Sequence, residues 1–212
     1  MTETGVTVNA ICKACNEGSM HKLEDAIKPI LTGPMQSGAA VTMSAPQQAS
    51  VATWAYKTAM VFEFAGHTPS AFYTPEERRA LMESGVAPAR NVFVNLAAYT
   101  GGVFCTAHHH MVGYDLEDHP TTSQITARCT TISIGKFAVQ VVGMRLPEDV
   151  HQLQMPVRGD RWHLRTIGIW PNPHATIDWP PAEILDHEGL VKFANRWNVG
   201  ATVGGPGGRR AR

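Results

Sequence analysis

The sequence has no surplus of charge of either sign, because 18 basic side chains are balanced by 18 acidic ones. Proteins that hold duplex nucleic acid through bulk electrostatics carry a clear basic surplus, so this balance argues against that class while permitting a local basic patch. The most apolar stretch, 51–65, contains Lys57 and Glu63 and is too short to span a bilayer. Residues 1–10 lack the cationic start and apolar run of a signal peptide. We therefore expect a cytoplasmic protein with no membrane partner.

Cysteine is scarce, with four residues in the chain, a number that suits a reducing compartment better than a disulfide framework. Cys12 and Cys15 form a Cys-x-x-Cys followed by Asn16 and Gly18, a turn that directs both thiolates towards one metal ion. Structural zinc takes four ligands in a tetrahedron, so this pair supplies half a site, and the sequence contains no second Cys-x-x-Cys.

A zinc ion at Cys12 and Cys15 therefore needs further ligands, either from distant residues of the chain or from a protein partner. A homodimer that completes the site is one form of the second possibility. The alternative is a vestigial turn in which Asn16 and Gly18 serve only the backbone. A redox role is less favoured, because no βαβ unit surrounds the motif.

The first third of the chain has the signatures of helices. Apolar residues at helical spacing predict a helix from an N-cap at Ser19 to Pro34. A second helix is predicted from Ser44, with Gln47 placed for a capping box and Gly66 at its end. Because apolar residues occupy nearly every side of this second helix, we expect it to be buried almost all round.

Two further helices have their own capping signals. The run Thr74-Pro75-Glu76-Glu77 combines an N-cap, a proline in the first turn and a glutamate at the third position, and Gly85 closes this helix. A last helix is predicted over 187–197, capped by Asp186.

From Asn91 onward the apolar pattern changes to a period of two, which is typical of strands. Strands are predicted over 91–99, 103–112, 123–134, 137–144 and 162–170, with a tight hairpin at Ile134-Gly135-Lys136-Phe137. The sequence thus predicts an α+β fold: an N-terminal zinc-knuckle remnant and helices, followed by an antiparallel sheet with a C-terminal helix. The predicted units are the remnant and its helix (1–33), an α+β body (34–202) and a disordered glycine- and arginine-rich tail (203–212).

One family resemblance carries through much of the chain. The cysteine turn and the residues after it resemble HNH-endonuclease-like proteins of actinobacteria and their phages. The matching segments are Ile-Cys-Lys-Ala-Cys-Asn-Glu-Gly-Ser-Met-x-x-Leu-Glu (11–24), Lys-Pro-Ile-Leu (28–31), Gln-Gln (47–48), Trp-Ala-x-Lys-Thr-Ala-Met (54–60), Tyr-Thr-Pro-Glu-Glu-Arg-Arg (73–79) and Trp-Pro-Pro (179–181).

The resemblance implies a treble-clef zinc fold and metal-dependent cleavage of nucleic acid. It also implies an upstream hairpin with a first Cys-x-x-Cys and a Glu-His pair that forms the nuclease centre. Only eleven residues precede Cys12, so this hairpin is expected to be absent. Such a nuclease needs a histidine to activate water and a side chain to hold the metal at the scissile phosphate, and no residue of this sequence is assigned either role.

The run His108-His109-His110 is the second metal candidate. On a strand, His108 and His110 point to the same face, a spacing that can bind zinc or another transition metal. Acidic residues and a further histidine follow within 115–119 and can add ligands. The alternative is a polar strand end that faces solvent. This alternative is favoured because the histidine run is not among the segments that carry the resemblance.

Three other features have both a structural and a functional interpretation. Cys105 and Cys129 are expected to be small buried apolar residues, with a cross-strand pair in a four-cysteine site as the alternative. Arg161, His163 and Arg165 are expected to form the wet face of a strand, or alternatively a phosphate-binding strip. Trp170-Pro171 and Trp179-Pro180-Pro181 are expected to pack as lids over the sheet, with peptide or base stacking as the alternative.

Three hypotheses for function follow. The first is a degenerate HNH-nuclease-like protein without catalytic activity that acts as a nucleic-acid or protein binding module. The second is a metal-dependent endonuclease whose catalytic hairpin is missing through a misassigned start or is supplied by a partner. The third is a structural or interaction protein with no nucleic-acid role.

Overall fold

The computed structural model describes residues 16–64, 71–102, 105–115, 124–146, 152–154, 161–197, 202–204 and 209–210. The fold is α+β, with helices before an antiparallel sheet and a helix after it, which confirms the predicted class. The helices of this part of the chain are α1 (His21–Ser37), α2 (Ala45–Phe62), α3 (Pro75–Ser84), α4 (Trp162–Arg165) and α5 (His187–Asn195). The strands are β1 (Val41–Ser44), β2 (Val92–Ala98), β3 (Cys105–Asp115), β4 (Gln124–Ile134), β5 (Phe137–Arg145), β6 (Gln152–Gln154), β7 (Thr166–Trp170), β8 (Thr176–Trp179), β9 (Thr202–Gly204) and β10 (Arg209–Arg210).

Five of the described strands form the central sheet, in the order β3-β4-β5-β2-β7 and with every neighbouring pair antiparallel. The hairpin between β4 and β5 was predicted correctly, and Gly135 adopts the left-handed conformation, with φ of +56°, that this turn requires. Helices cover both faces of this sheet. The α1–α3 face, which packs against α1, α2 and α3, holds the large core; the α5 face packs against α4 and α5.

The first helix differs from its prediction at both ends. A π-helical turn, Asn16–Met20, precedes α1, so Ser19 is not an N-cap. The helix also continues past Pro34, which is buried, and ends where the left-handed Gly38 donates its N–H to the Pro34 carbonyl at 3.1 Å. The predicted boundary between residues 33 and 34 therefore falls inside α1, whose Leu31 packs in the same core as α2.

The capping signals of α2 and α3 are confirmed. The Ser44 N–H donates to Gln47 Oε1 at 2.9 Å, and α2 is buried on nearly all sides. Its last residue is Phe62, and the predicted stop, Gly66, lies outside the described residues. In α3, the Thr74 hydroxyl accepts the Glu77 N–H at 3.2 Å, and the helix ends at Gly85 in the left-handed conformation. Asp186 likewise caps α5, accepting the Gly189 N–H at 2.7 Å.

The predicted strand over 162–170 is wrong in its first half. Residues 162–165 form the single helical turn α4, and the strand begins at Thr166, whose hydroxyl donates to the Trp162 carbonyl at 2.9 Å. The reason is tertiary packing. Trp162 is 5% exposed and lies against Phe193 of α5, a contact that favours the helical turn over the local strand pattern.

Two small sheets were not predicted. β1 pairs with β8 in register from Val41↔Trp179 to Ser44↔Thr176, which brings together segments more than 130 residues apart in sequence. β9 pairs with both β6 and β10. The segment 203–212, for which disorder was expected, contributes residues to β9 and β10. None of the helices in the described part of the chain is both long enough and apolar enough to cross a membrane.

Candidate functional site

The strand β3 forms one edge of the central sheet. It pairs with β4 over eleven positions, from Cys105↔Ile134 to Asp115↔Gln124, and no other described strand pairs with it. Five of the eight side chains whose burial is described are exposed to solvent, namely those of Cys105, Thr106, Ala107, His108 and Met111. An edge strand presents a row of unpaired N–H and C=O groups, so the outer side of β3 is a template for a further strand.

His108 and His110 lie on the same face of β3, as the alternation predicts. Their ring centroids are 5.3 Å apart and their planes differ by 40°. His108 is exposed and lies opposite Thr131, and His110 is partly buried and lies opposite Cys129. Both therefore belong to the α5 face of the sheet, since Cys129 and Thr131 face that side.

The intervening His109 points to the α1–α3 face, opposite Thr130. Burial, reinforced by the charge of Arg128, lowers the pKa of His109 below its ordinary value. This imidazole is thus neutral at physiological pH and is separated by the sheet from its two neighbours in the run.

The further ligands suggested by the sequence do not complete a site in one chain. Within the described residues, no three histidine, cysteine or acidic side chains come together at metal-binding distance. Residues 116–119 lie outside that part of the structure, as do Cys12 and Cys15, so the zinc and vestigial-turn interpretations of the cysteine pair both stay predictions.

Cys105 and Cys129 do not share a site. Cys105 lies opposite Ile134 and Cys129 opposite His110, and residues 129 and 134 face opposite sides of β4 because five positions separate them. The prediction of a small buried side chain is confirmed for Cys129 and is wrong for Cys105, which is exposed at the sheet edge. Burial raises the pKa of the Cys129 thiol to about 12, which disfavours the thiolate that a metal needs.

The two thiols are expected to differ sharply in reactivity. At pH 8 in the native protein, a disulfide reagent should modify Cys105 and leave Cys129 intact, since a pKa raised to about 12 reduces the thiolate population of Cys129 by roughly a thousandfold. Peptide mass mapping locates the label, and Cys105→Ser controls for the exposed position. Labelling of Cys129 in the native protein as fast as that of Cys105 would contradict the placement of β4.

The strand face expected for Arg161, His163 and Arg165, as a wet face or alternatively a phosphate-binding strip, is not formed. Because 162–165 is helical, Arg161 and Arg165 do not line one strand face; both approach Glu183, at 3.2 Å and 2.9 Å. Glu183 therefore compensates one of their two positive charges and draws both guanidinium groups to one side chain.

The two Trp-Pro segments have different environments. Trp179 is 1% exposed, packs against Phe137 and donates its indole N–H to the Ala97 carbonyl at 3.2 Å. It is a core residue and is not available for stacking on a base or peptide. Trp170 is only partly buried, and its indole N–H donates to the Pro88 carbonyl at 2.8 Å.

A buried polar network joins α5 to the sheet, and the sequence interpretation missed it. Gln140 is fully buried; its Oε1 accepts hydrogen bonds from Arg196 Nε at 2.7 Å and from the Trp197 indole at 2.6 Å. Its amide nitrogen donates to the Phe193 carbonyl at 2.8 Å. Burial lowers the pKa of Arg196 to about 10. The one available signal is a glutamine with apolar residues on both sides of it in strand β5.

A second unpredicted feature is a buried carboxylate beneath the opposite face. Glu63 accepts N–H groups from Phe72 at 2.9 Å and Tyr73 at 3.3 Å, with Arg78 and Arg128 both at 3.8 Å. The two backbone hydrogen bonds fix Phe72 and Tyr73 ahead of α3. Nothing in the sequence pattern distinguishes this glutamate from a solvated one.

A cavity of about 430 Å³ lies between α3 and the end of β5. Its lining is mainly apolar and aromatic, and includes Tyr56, Tyr73 and Met144. The charged pair in its wall, Arg145 and Glu77, is held together by two hydrogen bonds, of 2.5 Å and 2.6 Å. The volume is within the range of small-molecule sites.

No family model matches the chain, no curated protein matches its sequence, and no solved structure matches its fold. The likeness to HNH-endonuclease-like proteins therefore stays an expectation from the sequence, and the functional argument depends on the geometry of β3.

Proposed function

We propose that the protein is a degenerate, non-catalytic HNH-nuclease-like protein of the cytoplasm that acts as a protein-binding module. In this proposal a partner adds an extended segment to the open edge of β3, and main-chain hydrogen bonds supply the affinity. The supporting observation is this eleven-residue edge strand, which pairs with no described strand other than β4.

The composition of β3 supports this role. Edge strands normally avoid unwanted pairing through lysine, proline, inward charges or short length. Between residues 105 and 114 the chain has no lysine, arginine, acidic residue or proline. Within the described residues no strand covers this edge, and an open edge of this length is a template for an added strand.

A protein partner fits the surface better than nucleic acid does. Phosphate binding requires a cluster of accessible basic side chains, whereas Arg161 and Arg165 both lie against Glu183 and Arg128 is buried beside Glu63. Base stacking requires an accessible aromatic face, and Trp179 is buried.

The proposal is tested by display selection of random extended peptides on the purified protein, with binding of the recovered peptides measured by fluorescence polarisation. Peptides should bind, and Ala107→Lys/Met111→Lys should weaken them by at least about tenfold, because edge lysines oppose strand addition. Both replaced side chains are exposed, so the fold should tolerate the change.

The matched control places the same two charges elsewhere on the surface, as Ala182→Lys/Val191→Lys, both at exposed positions. This control should bind like the wild type. If Ala107→Lys/Met111→Lys binds the peptides as tightly as the wild type does, the proposal is overturned. Retention of single-stranded or duplex oligonucleotides that falls steeply with salt, without peptide binding, would instead support the nucleic-acid alternative.

A further inference from the structure

We propose that the strand added to β3 is β3 of a second copy of this chain, and that His108 and His110 of the two copies then form one transition-metal site. This inference rests on the proposed function, since it requires that β3 accepts a strand.

Antiparallel pairing about a two-fold axis at His109 places His108 of one copy directly opposite His110 of the other. Directly opposite side chains lie on the same face, with Cβ atoms about 4.5–5.5 Å apart. Within each copy the two rings already have centroids 5.3 Å apart. The pairing therefore gathers four imidazoles on the α5 face of one continuous sheet. Imidazole nitrogen is a preferred ligand of zinc, which takes four ligands in a tetrahedron.

The second copy is what completes the site. One chain offers two imidazoles on this face, and the described residues of a single chain supply no third ligand near them. Cys129 lies opposite His110 on β4 and is fully buried. The ring nitrogens of His110 are also buried in the single chain, so metal binding requires its side chain to turn towards the edge.

Self-complementarity favours a second copy over an unrelated strand. Residues 105–114 carry no lysine, arginine or acidic side chain. Pairing of two copies therefore places no permanent like charges opposite each other. On the α1–α3 face the same register places Ala107 of one copy opposite Met111 of the other. Both are exposed in the single chain, Met111 by 51%, and pairing covers apolar surface with apolar surface.

The experiment measures the oligomeric state and the metal content of the full-length chain carrying Cys12→Ser/Cys15→Ser, which removes the other candidate zinc ligands. Sedimentation velocity should show a dimer with added zinc and a monomer with chelator. Elemental analysis after gel filtration should give about one zinc ion per two chains. His108→Asn/His110→Asn should abolish both the zinc-dependent dimer and the bound zinc.

Two results would overturn the inference: a chain that stays monomeric with zinc, and a zinc-dependent dimer that survives His108→Asn/His110→Asn. Peptide selection on the wild-type protein, carried out in chelator, shows whether only the zinc-linked dimer fails or the proposed strand-binding function fails as well. If peptides bind but zinc produces no dimer, the inference alone fails and the occupant is a strand of another protein. If neither peptide nor second copy binds, the proposed function fails as well.

Discussion

Gly135→Ala is expected to destabilise the protein by about 3–5 kcal/mol, because the substitution adds a steric clash to an unfavourable backbone conformation. Gly135 has φ of +56°, a left-handed conformation that costs a residue with a Cβ about 1–2 kcal/mol. A Cβ built at this position lies 1.9 Å from the Met35 carbonyl oxygen. That oxygen belongs to rigid backbone and accepts the Lys136 N–H at 3.0 Å, so relief of the clash separates the hairpin from α1.

Urea unfolding of Gly135→Ala measures the change, and two glycines provide matched controls. Gly85→Ala has the same left-handed strain, at φ of +66°, with open space around the new methyl group, and should cost about 1–2 kcal/mol. Gly102→Ala has neither strain nor a neighbour and should be nearly neutral. If Gly135→Ala lowers the free energy of unfolding no more than Gly85→Ala does, the contact between the hairpin and α1 is contradicted.

Trp179→Ala is expected to lower the free energy of unfolding by about 3–5 kcal/mol, the range for large aromatic residues removed from a core. The side chain is 1% exposed, and its ring lies 5.8 Å from that of Phe137 between centroids. The substitution leaves a cavity and also removes the indole donor to the Ala97 carbonyl.

Trp170→Ala is the matched control, since this tryptophan also precedes a proline and also donates to a carbonyl, but is only partly buried. Trp170→Ala should lower the free energy of unfolding clearly less than Trp179→Ala does. Thermal or urea unfolding of both variants makes the comparison, and equal losses of stability would contradict the placement of Trp179 in the core.

The elements predicted correctly are those specified by neighbouring residues. The Thr74 and Asp186 caps and the Gly135 hairpin each depend on side chains within three or four positions, so the sequence pattern is enough. The common face of His108 and His110 follows from strand alternation alone.

The failures depend on contacts distant in sequence. The helical turn at Trp162 is set by packing on Phe193, and the β1–β8 pair by a four-residue match with no local signal. The role of Gln140 is set by Arg196, 56 positions away. The edge position of β3 likewise depends on strand order in the sheet, which no local pattern specifies.

The most direct test of the account is residue-by-residue amide hydrogen exchange along 105–115, measured by NMR in chelator with and without a selected peptide. If β3 is an open edge, alternate amides, those directed away from β4, should exchange rapidly in the free protein and become protected when the peptide binds. Uniform protection of β3 in the free monomer, or protection that the peptide leaves unchanged, would contradict the proposal that this edge is the binding surface.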